Sequence, residues 1–377
     1  MCSIIGFSFA IPFLPFFIEE LGVTGESQQA WWAGIVISAS GISLALFAPL
    51  WGVFADRFGR RSMVMRAMFG GVIVLILTSM VQSVGQLVVC RLIQGATTGT
   101  IAASVALVAC VVPEERSGFS LGMMQTAVFL GLAVGPLVGG IVADHFGYRI
   151  AFRVGACIIL IGGFLILFGT EEGDRPSAEE RARHHQSFIQ IIMASGFLAA
   201  VFVLFSIRLS NTISNPSFPL IVKEILGETK QLNTITGSII FSVAVSGAVS
   251  AALLGYFGDR WGQRRILIFC SLAAAAVSFM HLFVYTIGSL LVLRSLFGLA
   301  IAGMMPAANV IIKESIHESN IGKGFGIAAS LSMLGIAAGP FIGGWTAQEF
   351  GLRVPFGITA AGQVIVAVTV ILFISRK

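Results

Sequence analysis

The sequence predicts an all-α integral membrane protein made of two like-oriented halves, each of six transmembrane helices. Three observations carry this. Apolar runs follow one another along the whole chain, each about 20 residues long and so able to cross a ~30 Å hydrocarbon core as a helix. Of 377 residues, 56% are hydrophobic and only 11% charged, with mean hydropathy +0.94, whereas soluble domains carry roughly a quarter charged residues. Third, the charged turn Gly52–Arg61 returns 203 positions later at Gly255–Arg265. The weaker, alternating signature of a membrane barrel is absent.

The spans fall at 1–18, 31–54, 63–82, 86–112, 117–142 and 149–168, then 188–218, 234–257, 265–284, 289–312, 322–346 and 354–375. Pro12 and Pro15 interrupt the first, as Pro216 and Pro219 interrupt the seventh, 204 positions on. By the repeat, about 15 residues of a first helix and its lead are expected upstream of Met1, unless this helix is natively short. Between the second and third spans, Gly52 and Gly59 allow close approach and a sharp turn. Asp56 can pair there with Arg60 one helical turn later. The fourth span holds Arg91, matched by Arg294 in the tenth, 203 positions apart. The fifth and eleventh hold Gly135-Pro136 and Gly339-Pro340, 204 apart. His281, in the ninth, reads as a packing residue. The polar stretch Glu171–Gln186 has no apolar face to bury and reads as a linker. The domains are therefore expected at 1–168 and 188–377, with a cytoplasmic linker at 169–187.

Lysine and arginine positions orient the chain. With a cytoplasmic N-terminus, fifteen fall inside, including Arg57, Arg60, Arg61, Arg116, Arg260, Arg264 and Lys377. Only Arg149, Arg153, Lys223, Lys230 and Arg353 fall outside, and Arg91, Arg208 and Arg294 lie within spans. This asymmetry places both termini and the linker in the cytoplasm. The net charge of +5 sits in short loops and is no nucleic-acid signature. Five scattered cysteines have no metal or redox spacing and read as small core residues. All five tryptophans lie near interfaces, as belt residues do. With no P-loop, metal constellation or nucleophile–base arrangement, the sequence supports neither ATP hydrolysis nor catalysis and implies no cofactor beyond protons as coupling ion.

Gly52-x-x-x-Asp56-Arg57-x-Gly59-Arg60-Arg61, Arg91-x-x-Gln94-Gly95 and Gly131-x-x-x-Gly135-Pro136-x-x-Gly139-Gly140 together resemble major facilitator superfamily transporters. More narrowly, the chain is similar to the twelve-span drug:proton antiporters, the group of tetracycline and multidrug efflux pumps. The resemblance implies two six-helix bundles that expose a central site to each side in turn, acting as a monomer in the cell membrane. It also implies export of amphipathic small molecules. The fifth-span motif is the one that favours export, and it recurs here in span eleven. The rivals are a transporter of a specific metabolite with the same fold, such as a sugar or organic anion, and a membrane receptor or scaffold without transport.

Several residues acquire expected roles. Gly52, Asp56, Arg57, Gly59, Arg60, Arg61, Glu114, Asp259 and Arg260 would form a conformational latch, or a solvated surface cluster worth little. Arg91 carries a guanidinium that costs at least ~2.5 kcal/mol near mid-span and cannot discharge. It should meet a wet cavity or Gln94, serving either as a structural hydrogen-bond donor or as a sensor of cavity occupancy; Arg294 is its mate. Gly131, Gly135 and Gly139 share one helix face, as do Gly335, Gly339 and Gly343. With Pro136 and Pro340 they mark either close packing or a seam on which the halves rock. The substrate path is expected to draw on Phe9, Phe13, Gln125, Asn211, Asn215, Asn309 and Ser330, with Met123, Met124, Met304 and Met305 as soft wall. No carboxylate lies mid-span, so the proton carrier is sought among Glu19, Glu20, Asp144, Asp56 and Glu114.

Overall fold

A computed structural model describes residues 1–99, 103–104, 107–108, 114–170, 196–227, 229–316 and 321–374. Every regular element in it is helical. The helices are α1 (Cys2–Ser8), α2 (Leu14–Glu20), α3 (Glu26–Phe58), α4 (Arg60–Thr78), α5 (Val84–Thr97), α6 (Glu114–Phe146), α7 (Tyr148–Gly169), α8 (Phe197–Ile213) and α9 (Phe218–Leu226). Then come α10 (Leu232–Trp261), α11 (Gln263–Met280), α12 (Ile287–Ala302), α13 (Met304–Glu314), α14 (Ile321–Phe350) and α15 (Val354–Phe373). Eleven stretches among the described residues are long and apolar enough to cross a membrane.

Two compact units form. The first holds Met1–Gly22, Ala39–Gln186 and Lys230–Phe241. Its core is built by α1 packing on α6 and α7, and by α4 packing on α5 and α7. Phe9, Phe13, Phe17 and Phe152 are fully buried there, with Phe17 and Phe152 meeting edge-on at 5.1 Å. The second unit holds Val23–Ser38, Ser187–Thr229 and Ser242–Lys377. In it α8 lies on α14 and α15, and α11 on α12, α13 and α15, closing a core around Phe197, Ile207, Leu267 and Val366. Large apolar side chains elsewhere stay exposed, Phe168, Phe269 and Leu372 among them, as helices facing acyl chains require.

The repeat governs the turns. Gly59 and Gly262 start α4 and α11 with φ of 95° and 89°, and Gly147 and Gly351 sit before α7 and α15 with φ of 80° and 103°. Only glycine holds that backbone without strain. Three expected spans prove discontinuous. The first breaks after Ser8, where a 3₁₀ turn at Ile11–Phe13 absorbs Pro12. The seventh ends at Ile213 and restarts at Phe218, because Pro216 and Pro219 cannot donate to the helix ladder. The tenth, expected whole over 289–312, breaks at Gly303 between α12 and α13. A Cβ at Gly303 would lie 2.7 Å from Leu254 and 3.1 Å from Cys270, so the break is packed tightly. The second half of the fourth span and the linker lie largely or wholly outside the described residues.

Candidate functional site

Arg91 sits midway along α5, whose first turn is capped by Ser83 accepting from the Gln86 N–H at 3.4 Å. Its side chain is 2% exposed. Nη1 donates to Gln94 Oε1 at 2.6 Å, the partner expected one turn away. Nε and Nη2 find no partner among the described residues. Its mate Arg294 is held differently. The guanidinium lies 4.1 Å from the Phe218 ring centroid and 5.1 Å from that of Phe356. Aromatic faces attract a cation by their quadrupole, most strongly where water is excluded. His281 lies flat on the far partner, stacked on Phe356 at 5.1 Å with Nδ1 against the Val277 carbonyl, a packing role as read from the sequence.

The glycine ridges make the close-packing contacts that were one of the two expectations, each within its own unit. Gly131, Gly135 and Gly139 on α6 receive Ile4, Ser8 and Phe9 of the first span. Gly335, Gly339 and Gly343 on α14 receive Arg208, Thr212 and Ile213. Ser8 Oγ donates to the Gly131 carbonyl at 3.2 Å, a bond the close approach permits. Pro136 and Pro340 lie within unbroken α6 and α14. A second set of glycine contacts, involving Gly140 of the fifth-span motif with Gly34, Gly237 and Gly344, was not anticipated from the sequence. Gly140 on α6 faces the Asn233 backbone and Gly237 on α10 faces Pro136, within the first unit. Gly34 on α3 faces Pro340 and Gly344 in the second. Their spacing gave the signal: Gly34 and Gly237 are 203 apart, Gly140 and Gly344 are 204 apart.

Asp144, at the end of α6, closes this second contact. Its Oδ2 accepts from the Thr234 N–H at 2.7 Å and from Thr234 Oγ1 at 2.6 Å. Its other oxygen takes Asn233, so the carboxylate caps the start of α10. Asp144, named above only as a candidate proton carrier, thus has a capping role at α10.

The latch residues divide. Asp56, Glu114 and Asp259 have side chains outside the described set. α3 ends at Phe58 and α4 begins after Gly59, so Asp56 and Arg60 stand on different helices, and their pairing lies outside the described side chains. Arg57 and Arg260 are exposed, and Gly52 has open space where a Cβ would be. Arg61 is committed within its unit, with Nη2 donating to the Leu167 carbonyl at 2.5 Å. Arg264 repeats this on Ile371 at 2.9 Å, so each turn satisfies orphan carbonyls at the end of α7 or α15.

The expected substrate wall needs correction too. Phe9 and Phe13 are fully buried and Met304 likewise, because the breaks in their spans turn them into the unit cores. Ser330 is exposed, but its hydroxyl back-bonds to the Gly326 carbonyl on its own helix at 3.0 Å. Asn211 and Asn309 are half-buried and Asn215 exposed, while the Gln125 side chain lies outside the described set. Asn211 Oδ1 accepts from Gln363 Nε2 at 2.7 Å, a partner that sequence spacing could not reveal. Among the described residues no three His, Cys, Asp or Glu gather as metal ligands would.

Comparison with known proteins follows the same lines. The family model of the Major Facilitator Superfamily matches residues 1–208 and again 200–377. Multidrug resistance protein MdtG of Salmonella typhimurium is 32% identical over 355 residues, covering 94% of this chain and 88% of the relative. Its counterpart from Citrobacter koseri is 32% identical, with 94% and 87% covered. Among solved structures, a D-xylose–proton symporter superposes with TM-score 0.79 at 17% identity, covering 99% of this chain and 95% of its own. A bacterial homologue of the human lysosomal transporter Spinster, inward-facing and unoccupied, gives 0.82 at 14%, covering 98% and 94%.

Proposed function

The chain belongs to the major facilitator superfamily, and on that premise we propose that it is a secondary-active exporter of amphipathic and hydrophobic small molecules. Export is coupled to proton entry by alternating access. The observation that carries the reading is the near-full-length identity to MdtG multidrug resistance proteins. The chemistry of the chain agrees with it. Three methionines that are not buried in the unit cores, Met123, Met124 and Met305, supply soft apolar surface that can repack around different ligands. The charged turns bearing Asp56 and Asp259 lie on the cytoplasmic side with both termini, following the lysine and arginine asymmetry. The protein works as a monomer and performs no catalysis. Coupling runs through a carboxylate at a helix end, since none stands mid-span.

Everted membrane vesicles containing the full chain test this. An imposed gradient, acidic inside, should drive uptake of the neutral efflux dye N-phenyl-1-naphthylamine or of ethidium, and a protonophore should abolish it. Movement of a polar metabolite without either dye would replace drug export by metabolite transport. With protein present and folded, no movement of any solute would leave only a receptor or scaffold.

A further inference from the structure

Arg91, Arg208 and Arg294 have no acidic counterparts at their depth within the described spans. Each aspartate or glutamate within a described span lies in its first or last turn: Glu19, Glu20, Glu26, Asp144, Glu224, Glu314 and Glu349. Arg91 and Arg294 are sealed in, at 2% and 8% exposure, on Gln94 and on aromatic rings. Arg208 differs. It stands near the middle of the Phe197–Leu226 span, is only half-buried, and no described residue pairs with its guanidinium. A cation at that depth cannot face acyl chains, so its open side must be wet.

Its surroundings extend that polarity. Arg208 and Asn211, at i and i+3, share one face of α8 and are both half-buried, and Asn215 follows, exposed, in the turn after the helix ends at Ile213. The same face begins with the buried Phe197, Val201 and Leu204. Asn211 Oδ1 is occupied by Gln363, which leaves its amide hydrogens for another acceptor. The fold does not require any of this. The positions 204 earlier are Ile4, Phe7 and Ile11. A Cβ on Gly131 would meet the Ile4 Cβ at 2.9 Å, and one on Gly335 would meet the Arg208 Cβ at 3.3 Å. One seat takes an aliphatic residue in the first unit and a guanidinium in the second.

We propose that Arg208, with Asn211, determines substrate charge: the transporter prefers amphipathic monoanions, carrying a carboxylate or sulfonate, over neutral and cationic molecules. A guanidinium offers a planar fork of donors that fits such groups. A cationic ligand beside Arg208 would meet a positive charge, with the acidic residue of that span confined to its last turn. The proposal rests on the export reading above and sharpens it.

Everted vesicles with the full chain and an acid interior test it with three probes. 1-Anilinonaphthalene-8-sulfonate and N-phenyl-1-naphthylamine share one aromatic frame and differ by the sulfonate; ethidium is the cation. The wild type should move the sulfonate at least tenfold faster than the neutral amine, with ethidium slowest. Arg208→Gln and Arg208→Ile, the latter copying Ile4 of the first unit, should lower the sulfonate-to-amine rate ratio at least tenfold, and Arg208→Lys should restore part of it. Equal or inverted preference in the wild type overturns the proposal without needing any variant, as does an unchanged ratio in folded Arg208→Gln. If the amine or ethidium moves and the sulfonate does not, export stands and this proposal falls; if none of the three moves, both fall.

Discussion

Asp144 Oδ1 accepts from both the backbone N–H and the side-chain amide of Asn233, at 3.1 Å and 2.8 Å. With Thr234 on the other oxygen, four donors converge on one carboxylate at the first turn of α10. Such a site joins an N-cap to the positive end of a helix dipole, and anionic acceptors there form the stronger class of hydrogen bond. The repeat does not copy it. The position answering to Asp144 at a shift of 204 is Gln348, and the one answering to Asn233 at the 203 shift of Gly34 and Gly237 is Ala30, both uncharged. One end of the repeat thus carries a charged clasp, and the matching positions at the other end carry no charge.

Removing that clasp should be felt in stability. Asp144→Ala leaves the α10 donors uncapped and should cost about 1–2 kcal/mol, lowering the melting temperature in detergent. Asp144→Asn keeps one acceptor oxygen and should lose less. Melting curves of the three proteins compare them directly, and an alanine variant that melts with the wild type would show the cap to be dispensable.

Glycine substitutions separate packed ridges from open turns. A Cβ at Gly139 or Gly343 would enter the Phe9 or Ile213 carbonyl, so Gly139→Ala and Gly343→Ala must push α6 off the first span or α14 off α8. Overpacking of this kind costs about 1–3 kcal/mol or more. Gly52→Ala meets nothing within 4 Å and should be silent in stability. Yields of folded, monodisperse protein after solubilisation report the difference. Equal yields for all three would contradict the close approach.

Much of this architecture was legible beforehand because a membrane span writes itself as one apolar run, and because duplication doubles every landmark. The turn glycines, the ridges and the Arg91–Gln94 pair all follow from spacing within one helix. What escaped depends on contacts between helices. Phe9 and Phe13 looked like wall residues, since nothing local says that a 3₁₀ turn at Pro12 rotates them into the core. Arg61 looked free for a latch, yet it reaches a carbonyl 106 positions away on α7. Gln363 meets Asn211 across 152 positions, a distance over which no periodicity carries information.

Arg294 tests what holds a buried cation without a carboxylate. Its planar guanidinium lies against the rings of Phe218 and Phe356. An ammonium is more strongly hydrated and cannot stack in that way. Arg294→Lys should therefore destabilise more than Arg294→Met, which drops the charge but fills the space. The expected gap is about 1–2 kcal/mol in favour of methionine. Unfolding by thermal melt or denaturant ranks them, and lysine outlasting methionine would mean that charge, not stacking, holds the site.

Arg91 permits structure and transport to be told apart. Arg91→Ala leaves Gln94 Oε1 buried without its donor, which costs about 1–3 kcal/mol. Replacing both partners, Arg91→Leu with Gln94→Leu, removes the donor and the orphaned acceptor together and should recover most of that stability. If Arg91 only braces α5, the double variant should regain dye transport along with its melting temperature. Because two of its nitrogens have no hydrogen-bond partner among the described residues, in a buried place where a plain brace would satisfy them, we expect transport to remain at least tenfold below wild type in the stable double variant. Vesicle uptake of N-phenyl-1-naphthylamine, measured beside the melting curve, distinguishes the outcomes: recovery of both would reduce Arg91 to a packing residue.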